Sequence, residues 1–570
     1  MKKKKKFKAN FKSEVSTIAP AKPINVRPIR PPVKEYKEYV EDSGFNIATI
    51  KDVFTLLRAN FPIILIILVI SFAVYWQIVR GEFVNIDDLA GIVQNPNIRS
   101  ITTAWKTGNI YQVYSAVLFK MFGLSSTAFH VAAIILHAVC CVLVFVVSFM
   151  LFGKKVAIIA TSLFVVNPTG SEAINWLSAS GYIHQAILIF SMLILFILYR
   201  RSGKVYYAAA TSIIFALDIF LYKTPWVLVT PFILFTVDTM LLRTKFSKKF
   251  IPVYIFFVVL SLVFTYTTVV KSYENRAFTL ETQHYLDLKK ATPYLNRIPY
   301  SLFMMVRQYV YPERLTIYHE GLIIGNAEYS FMVVSTLIYI VICFALLKKH
   351  EDYLALLLLM PISELPSYSP VAIAWLVADR YLYLGAVFFC LLLAKIFVDL
   401  EKHFKLRNFA NILCAIFFII YFTRTAVRAV DFKNSKNLWL ATMKTSPLSY
   451  RVYNNLGDVY ASEGKYKLAL ENFQKSLELK PDYADAVHNM GYTYMQMGDL
   501  ENAKKALILS YQMNPRLYQS LFKLGYIEYQ QGNIEKAKEY LTKVLEINPG
   551  NMDALQLLQV IQNQEQKATQ

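Results

Sequence analysis

Long apolar runs joined by short polar loops fill most of the chain, and from about residue 430 they give way to a mixed polar helical pattern. About eleven of the runs approach the ~20 residues that carry a helix across ~30 Å of hydrocarbon. They lie near 60–80, 127–152, 155–171, 183–199, 204–222, 225–243, 250–270, 330–347, 353–371, 381–399 and 408–428. The pattern predicts an all-α protein, a polytopic membrane helix bundle followed by a helical solenoid. One further stretch, "IPYSLFMMVRQYVYPE" at 298–313, is short and interrupted by Arg307 and Pro312. It reads as a helix lying in the membrane interface rather than a span.

The loops alternate in charge. "GKK" at 153–155, "RRSGK" at 200–204, "RTKFSKK" at 243–249 and "KKH" at 348–350 fall on one side with the basic N-terminal tail. The opposite loops include "NPTGSEAINWLSASGY", which has no Lys or Arg. Positive loops stay inside. That places the tail in the cytoplasm and residues 81–126, 167–182, 271–329 and the C-terminal region outside. Residues 1–55 are basic, Pro-containing and poor in large apolar side chains, so they are expected to be a disordered tail.

The region after 430 repeats every 34 residues: Leu456-Gly457, Met490-Gly491 and Leu524-Gly525, then Gly464, Gly498 and Gly532, then Ala469, Ala503 and Ala537. Pro447, Pro481, Pro515 and Pro549 keep the same step. Small residues let paired helices pack closely and the prolines end each pair, which is the tetratricopeptide signature. Residues 430–447 read as a half-repeat joining the last span to the array. The expected domains are the tail at 1–55, a membrane domain at 56–429 and the repeat domain at 430–563.

Composition sharpens this picture. Hydrophobic residues make up 55% of the chain and charged ones 17%, a membrane-protein balance. The net charge of +21 sits largely in the tail and the inner loops, so it orients helices and touches anionic lipid; no nucleic-acid partner is expected. Cys140, Cys141, Cys343, Cys390 and Cys414 all lie in apolar segments, which is neither a disulfide framework nor a zinc pattern. Usage rich in Lys, Ile and Asn points to a prokaryotic plasma membrane.

Candidate chemistry gathers in the outer loops. "GEFVNIDDLAGIVQNPNIRS" places Asp87 and Asp88 just beyond the first span. Glu172 lies in the "NPTGSEAINW" turn, which has no Lys or Arg, Lys223 in "LYKTPW", and Arg380 opens "RYLYLG". A carboxylate can take the proton of an acceptor hydroxyl, and a cation can hold a departing phosphate. Those two demands describe sugar transfer from a lipid-phosphate donor. Adjacent carboxylates repel, which raises one pKa and leaves the other as the better base. No cluster has metal-ligand spacing, so no cofactor is expected; the acidic pair would be the holder of any divalent ion.

The run "FVNIDDLAGIVQNP" also resembles the first outer loop of a family, the multispanning O-mannosyltransferases of GT-C fold with C-terminal tetratricopeptide repeats. The likeness continues through "LFVVNPTGSEAINWLSASG", "YKTPWVLVTPFILFTVD", "YVYPERLTIY", "ADRYLYLG" and "NNLGDVYASEGKY". It implies a polyprenyl- or dolichyl-phosphate sugar as donor, often mannose, and a catalytic acidic pair. Carried over by position, Asp87 becomes the base and Asp88 the next candidate. Asn167-Pro168 and Gly170 stand where relatives have a His-Pro pair and a second His. Thr224 replaces a Glu, and Tyr182 and His184 replace an Arg and an Asp. These departures leave sugar and acceptor open, with protein Ser or Thr favoured because the repeats suit peptides.

Other readings compete. Lys223 and Arg380 can anchor span ends, Glu172 can cap a turn, and His130 and His137 on apolar faces suit buried structural roles. A cell-surface glycan ligase or polymerase would use Arg276, His284, Arg297, Arg307 and His319 of a late outer loop. A non-enzymatic scaffold that displays the repeats would leave Asp87, Asp88 and Arg380 dispensable.

Overall fold

The computed structural model describes residues 47–222, 224–242, 250–270, 294–319, 325–368 and 375–568. Most of the basic tail, Lys223, the basic loop at 243–249, and Arg276 and His284 lie outside the described residues. Those described contain helices and no strand. The end of the expected tail is ordered as the helix Ile50–Ala59. Thr49 and Asp52 close a capping box there, with Asp52 Oδ2 accepting from the backbone N–H of Thr49 at 2.8 Å.

Among the described residues, eight helices are long and apolar enough to cross a membrane, including Phe61–Ile78, Ser126–Phe152, Leu177–Ser202, Asp379–Phe404 and Phe409–Asp431. Three of the eleven expected segments are shorter: Lys154–Val165, Glu351–Ser363 and the interrupted stretch Pro225–Leu241. Proline accounts for much of the shortening. Pro168 follows the first, Pro361 lies in the last turn of the second, and Pro225 and Pro231 break the third. Gly153, at φ +82°, makes the sharp turn from Ser126–Phe152 into Lys154–Val165, a conformation that favours glycine.

Burial sorts the helices into centre and rim. Asp379–Phe404 is 89% buried over its apolar window, whereas Ile251–Thr268 and Asn326–Leu346 are each 11% buried. The rim helices turn Ile255, Val258, Leu262, Val334, Ile338 and Val341 outward, a surface that lipid covers and water would not. At the far ends of the central helices Lys155 pairs with Glu401, and Lys395 with Asp352 and Asp399. The segment at 298–313 folds as the helix Tyr294–Val310 and buries Met305 and Tyr309 against the bundle.

The C-terminal array pairs Tyr450–Ser462 with Tyr466–Leu479, Ala484–Gln496 with Leu500–Met513, and Tyr518–Gln530 with Ile534–Ile547. Inside each pair a glycine meets a large side chain. A Cβ on Gly457 would stand 2.6 Å from Phe473, and one on Gly491 2.8 Å from Leu507. Ser435–Thr445, the expected half-repeat, runs between the last long helix and the array.

Candidate active site

Asp87 and Asp88 lead into a π-helical turn, Leu89–Val93, closed by the Gln94 N–H to the Leu89 carbonyl at 2.7 Å, and the Gly91 N–H reaches the Asp87 carbonyl at 2.6 Å. Neighbouring residues on a helical turn project roughly 100° apart. One carboxylate therefore points inward and the other outward. Asp88 is fully buried: Oδ1 accepts from the Ser178 N–H at 2.9 Å and its hydroxyl at 2.7 Å, and Oδ2 from the Val84 N–H at 3.2 Å. Burial pushes its pKa to about 6, against the pull of those hydrogen bonds, and the Asp87 charge adds to the rise. Asp87 opens to solvent from a crevice whose protein walls raise its pKa, and the Arg380 charge acts in the opposite direction.

Glu172 lies in the short helix Ser171–Asn175, formed just after Asn167 caps the Pro168 turn with its side chain on the Thr169 N–H at 3.0 Å. Gly170 makes room for Tyr383, whose ring a Cβ would meet at 2.9 Å. Both oxygens of buried Glu172 accept from Arg380, one from Nη1 at 2.7 Å and one from the backbone N–H at 3.1 Å. Burial raises the Glu172 pKa, and the Arg380 charge opposes that. Two donors on two oxygens fit a carboxylate. The guanidinium also lies 4.9 Å from the Trp176 ring and 5.0 Å from Tyr381. Tyr182 and Trp226 extend this aromatic wall, with the Trp226 ring 4.6 Å from that of Tyr381. Among the described residues, the indole N–H groups of Trp176 and Trp226 are buried with no partner. Unpaired buried donors are costly unless something meets them.

The acidic pair, Glu172 and Arg380 thus share one end of the bundle, while Lys223 lies outside the described residues. Several neighbours join this end without having been candidates for the transfer chemistry. Asp379 accepts from the Thr316 N–H at 2.9 Å and faces His319 at 3.0 Å. Ser178 sits inside the quoted loop without Lys or Arg, yet nothing in that loop marks it as the partner of Asp88. Among the described residues no three His, Cys, Asp or Glu side chains gather as a metal cage.

The repeats begin at this same end. The Asn85 amide accepts from Trp439 Nε1 at 2.6 Å and donates to Asp458 at 3.1 Å, and its backbone N–H reaches Ser435 at 2.9 Å. Ser446 donates to the Tyr318 carbonyl at 2.6 Å.

Family models of the tetratricopeptide repeat match residues 457–498, 484–517 and 518–551. "Protein O-mannosyl-transferase F38B6.6" of Caenorhabditis elegans is 24% identical over 474 residues, which cover 74% of this chain and 63% of that protein. The chain resembles the multispanning O-mannosyl-transferases that end in tetratricopeptide repeats. "Protein O-mannosyl-transferase Tmtc3" of Drosophila melanogaster is 28% identical over 112 residues, 19% of this chain and 12% of that one. The chain therefore spans less than two thirds of the length of these relatives. Among solved structures, "Crystal structure of MamA" matches at 18% identity with a TM-score of 0.19, over 27% of this chain and 86% of that one.

Proposed function

We propose that the chain is a membrane glycosyltransferase that moves a sugar, mannose in the first instance, from a polyprenyl- or dolichyl-phosphate donor to a protein Ser or Thr hydroxyl. The observation that carries this reading is the contrast within the acidic pair: Asp88 is locked by three hydrogen bonds, while Asp87 opens outward under the Arg380 charge. Asp87 takes the acceptor proton, the acceptor oxygen attacks the anomeric carbon, and the bond to phosphate breaks. The electron pair leaves on the phosphate. Arg380 receives that charge, Glu172 holds its guanidinium in place, and the indole N–H groups of Trp176 and Trp226 offer further donors to phosphate or sugar oxygens. Lys223 is a second candidate cation. The site and the repeats face away from the cytoplasm, in a plasma membrane.

The test is to incubate the purified full chain in lipid nanodiscs with labelled polyprenyl-phosphate sugars and Thr-containing peptides. Transfer to the peptide is expected, with loss in Asp87→Asn. No transfer from any donor, or full activity in Asp87→Asn, would remove the reading.

A further inference from the structure

Glu364 is a buried carboxyl that the transfer chemistry leaves unused. It directly follows the helix Glu351–Ser363 and is 4% exposed. Among the described residues it forms no ion pair, and its side chain meets the Tyr309 hydroxyl, with Oε1 and Oη 2.9 Å apart. The stretch 369–374, outside the described residues, has no charged side chain to offer. Tyr309 Oη also lies 3.1 Å from the Leu382 carbonyl oxygen. Leu382 ends the turn Asp379–Leu382, whose Arg380 holds Glu172. Tyr309 is itself fixed: its ring stacks on Phe389 at 5.3 Å, and its backbone carbonyl accepts from Tyr421 Oη at 3.2 Å. Gly385 leaves room for the pair, since a Cβ there would strike the Tyr309 hydroxyl and stand 3.4 Å from Glu364 Oε1.

Proton counting decides the state of this group. A phenol has one proton to give, yet Tyr309 faces two oxygens. Both contacts are full hydrogen bonds only if one partner brings a second proton, and a carbonyl has none. Burial argues the same way, because a carboxylate with no cation beside it is costly away from water. We propose that Glu364 is a positioning residue for Arg380: as the neutral acid it donates to Tyr309 Oη, whose own proton goes to the Leu382 carbonyl, and these two hydrogen bonds set the turn Asp379–Leu382. An ionised Glu364 would take the phenol proton for itself and release the carbonyl. The inference rests on the transferase reading for what Arg380 holds, but the proton on Glu364 does not require it.

The experiment compares the full chain in lipid nanodiscs with Glu364→Gln, Glu364→Leu and Tyr309→Phe. Infrared difference spectra in alkaline buffer should show the C=O band of a protonated carboxyl in the parent and lose it in Glu364→Gln. The amide can still donate to Tyr309 Oη, so Glu364→Gln should keep the parent's hydrogen exchange over 378–384 and its donor KM. Glu364→Leu and Tyr309→Phe break the chain of bonds. Exchange there should quicken and donor KM should rise about tenfold, with peptide KM unchanged. A carboxyl band that survives in Glu364→Gln, a Gln variant that behaves like Glu364→Leu, or exchange unmoved in Tyr309→Phe overturns the proposal. If sugar is transferred while exchange and donor KM ignore Tyr309→Phe, the positioning role fails and the transferase stands. If band and exchange respond as expected and no sugar moves, the hydrogen-bonded link stands and the transferase reading falls.

Discussion

Replacing Asp88 with asparagine should stabilise the protein at neutral pH while harming its chemistry. The carboxylate is fully buried, and its pKa of about 6 exceeds the ordinary 3.8 because desolvation outweighs three hydrogen bonds. A shift of that size means the charged form costs the fold about 3 kcal/mol relative to the neutral one. The sign follows from linkage. The folded protein holds this proton more tightly than the unfolded chain, so the parent's stability is full below pH 3.8 and is lost as pH rises through about 6. The substituted amide mimics the neutral acid: its oxygen can keep both Ser178 donors, and its NH2 group faces the Val84 N–H with one hydrogen bond lost. Thermal unfolding of parent and Asp88→Asn in the same detergent, from about pH 4 to pH 8, should give superimposable midpoints at the acid end. The variant should then gain up to about 3 kcal/mol at the alkaline end. A variant less stable by the same amount at every pH would mean that the hydrogen bonds outweigh desolvation, and the burial argument would fail.

Asp87→Asn should leave stability within about 0.5 kcal/mol, since its side chain is exposed, yet slow transfer by roughly 10²–10⁴-fold; single-turnover rates at matched protein decide it. In the parent, the rate should rise with pH through an apparent pKa above the usual aspartate value, a property of the coupled pair. Glu172→Gln leaves the Arg380 charge unneutralised beside Asp87, so this acidic limb should move to lower pH; a limb that moves up in the pH–rate profile contradicts the proposed electrostatics. Asn85→Ala strips Trp439 Nε1 of its acceptor at about 1–3 kcal/mol. Hydrogen exchange over 81–94 should quicken and kcat should fall with donor KM unchanged, whereas unaltered exchange would mean the link does not hold the loop. Gly457→Ala drives a methyl group to 2.6 Å from Phe473, while in Gly525→Ala the nearest atom of Leu541 is 3.2 Å away. Unfolding of the full chain should show the first to be destabilising by about 1–2 kcal/mol net of its helix propensity, and the second near neutral.

Local, periodic features are legible in the amino-acid sequence. Apolar runs and the 34-residue step depend on neighbours along one helix or one repeat, and they mark the long helices and the helix pairs. The interrupted segments were harder, because Pro225, Pro231 and Pro361 cut apolar runs without changing their hydropathy. The candidate site was legible as a set of residues and not as an arrangement. Which member of the acidic pair turns inward depends on Ser178, 90 positions away, and Glu172 meets Arg380 across 208 positions. No period along the chain encodes such contacts. Asn85 is the extreme case: an ordinary loop asparagine in "FVNIDD", it reaches Asp458 across 373 positions.

That distant contact changes how the two halves of the chain should be thought of. A repeat array tethered by a spacer would collect partners and leave the chemistry to the bundle. Here the residue two places before Asp87 is bonded through its backbone to Ser435 and through both ends of its side chain to Trp439 and Asp458. The Thr316 hydroxyl, beside the N–H that Asp379 accepts, lies 3.1 Å from Ser446. The loop bearing the candidate base and the segment next to the candidate phosphate holder are thus both fastened to the start of the array. Under the proposed function, a ligand held by the first repeat would reach the Asp87 loop through these same hydrogen bonds. If the repeats recognise the acceptor and Asp87 takes its proton, as proposed, both tasks meet at Asn85, whose hydrogen bonds tie the acidic loop to Ser435, Trp439 and Asp458.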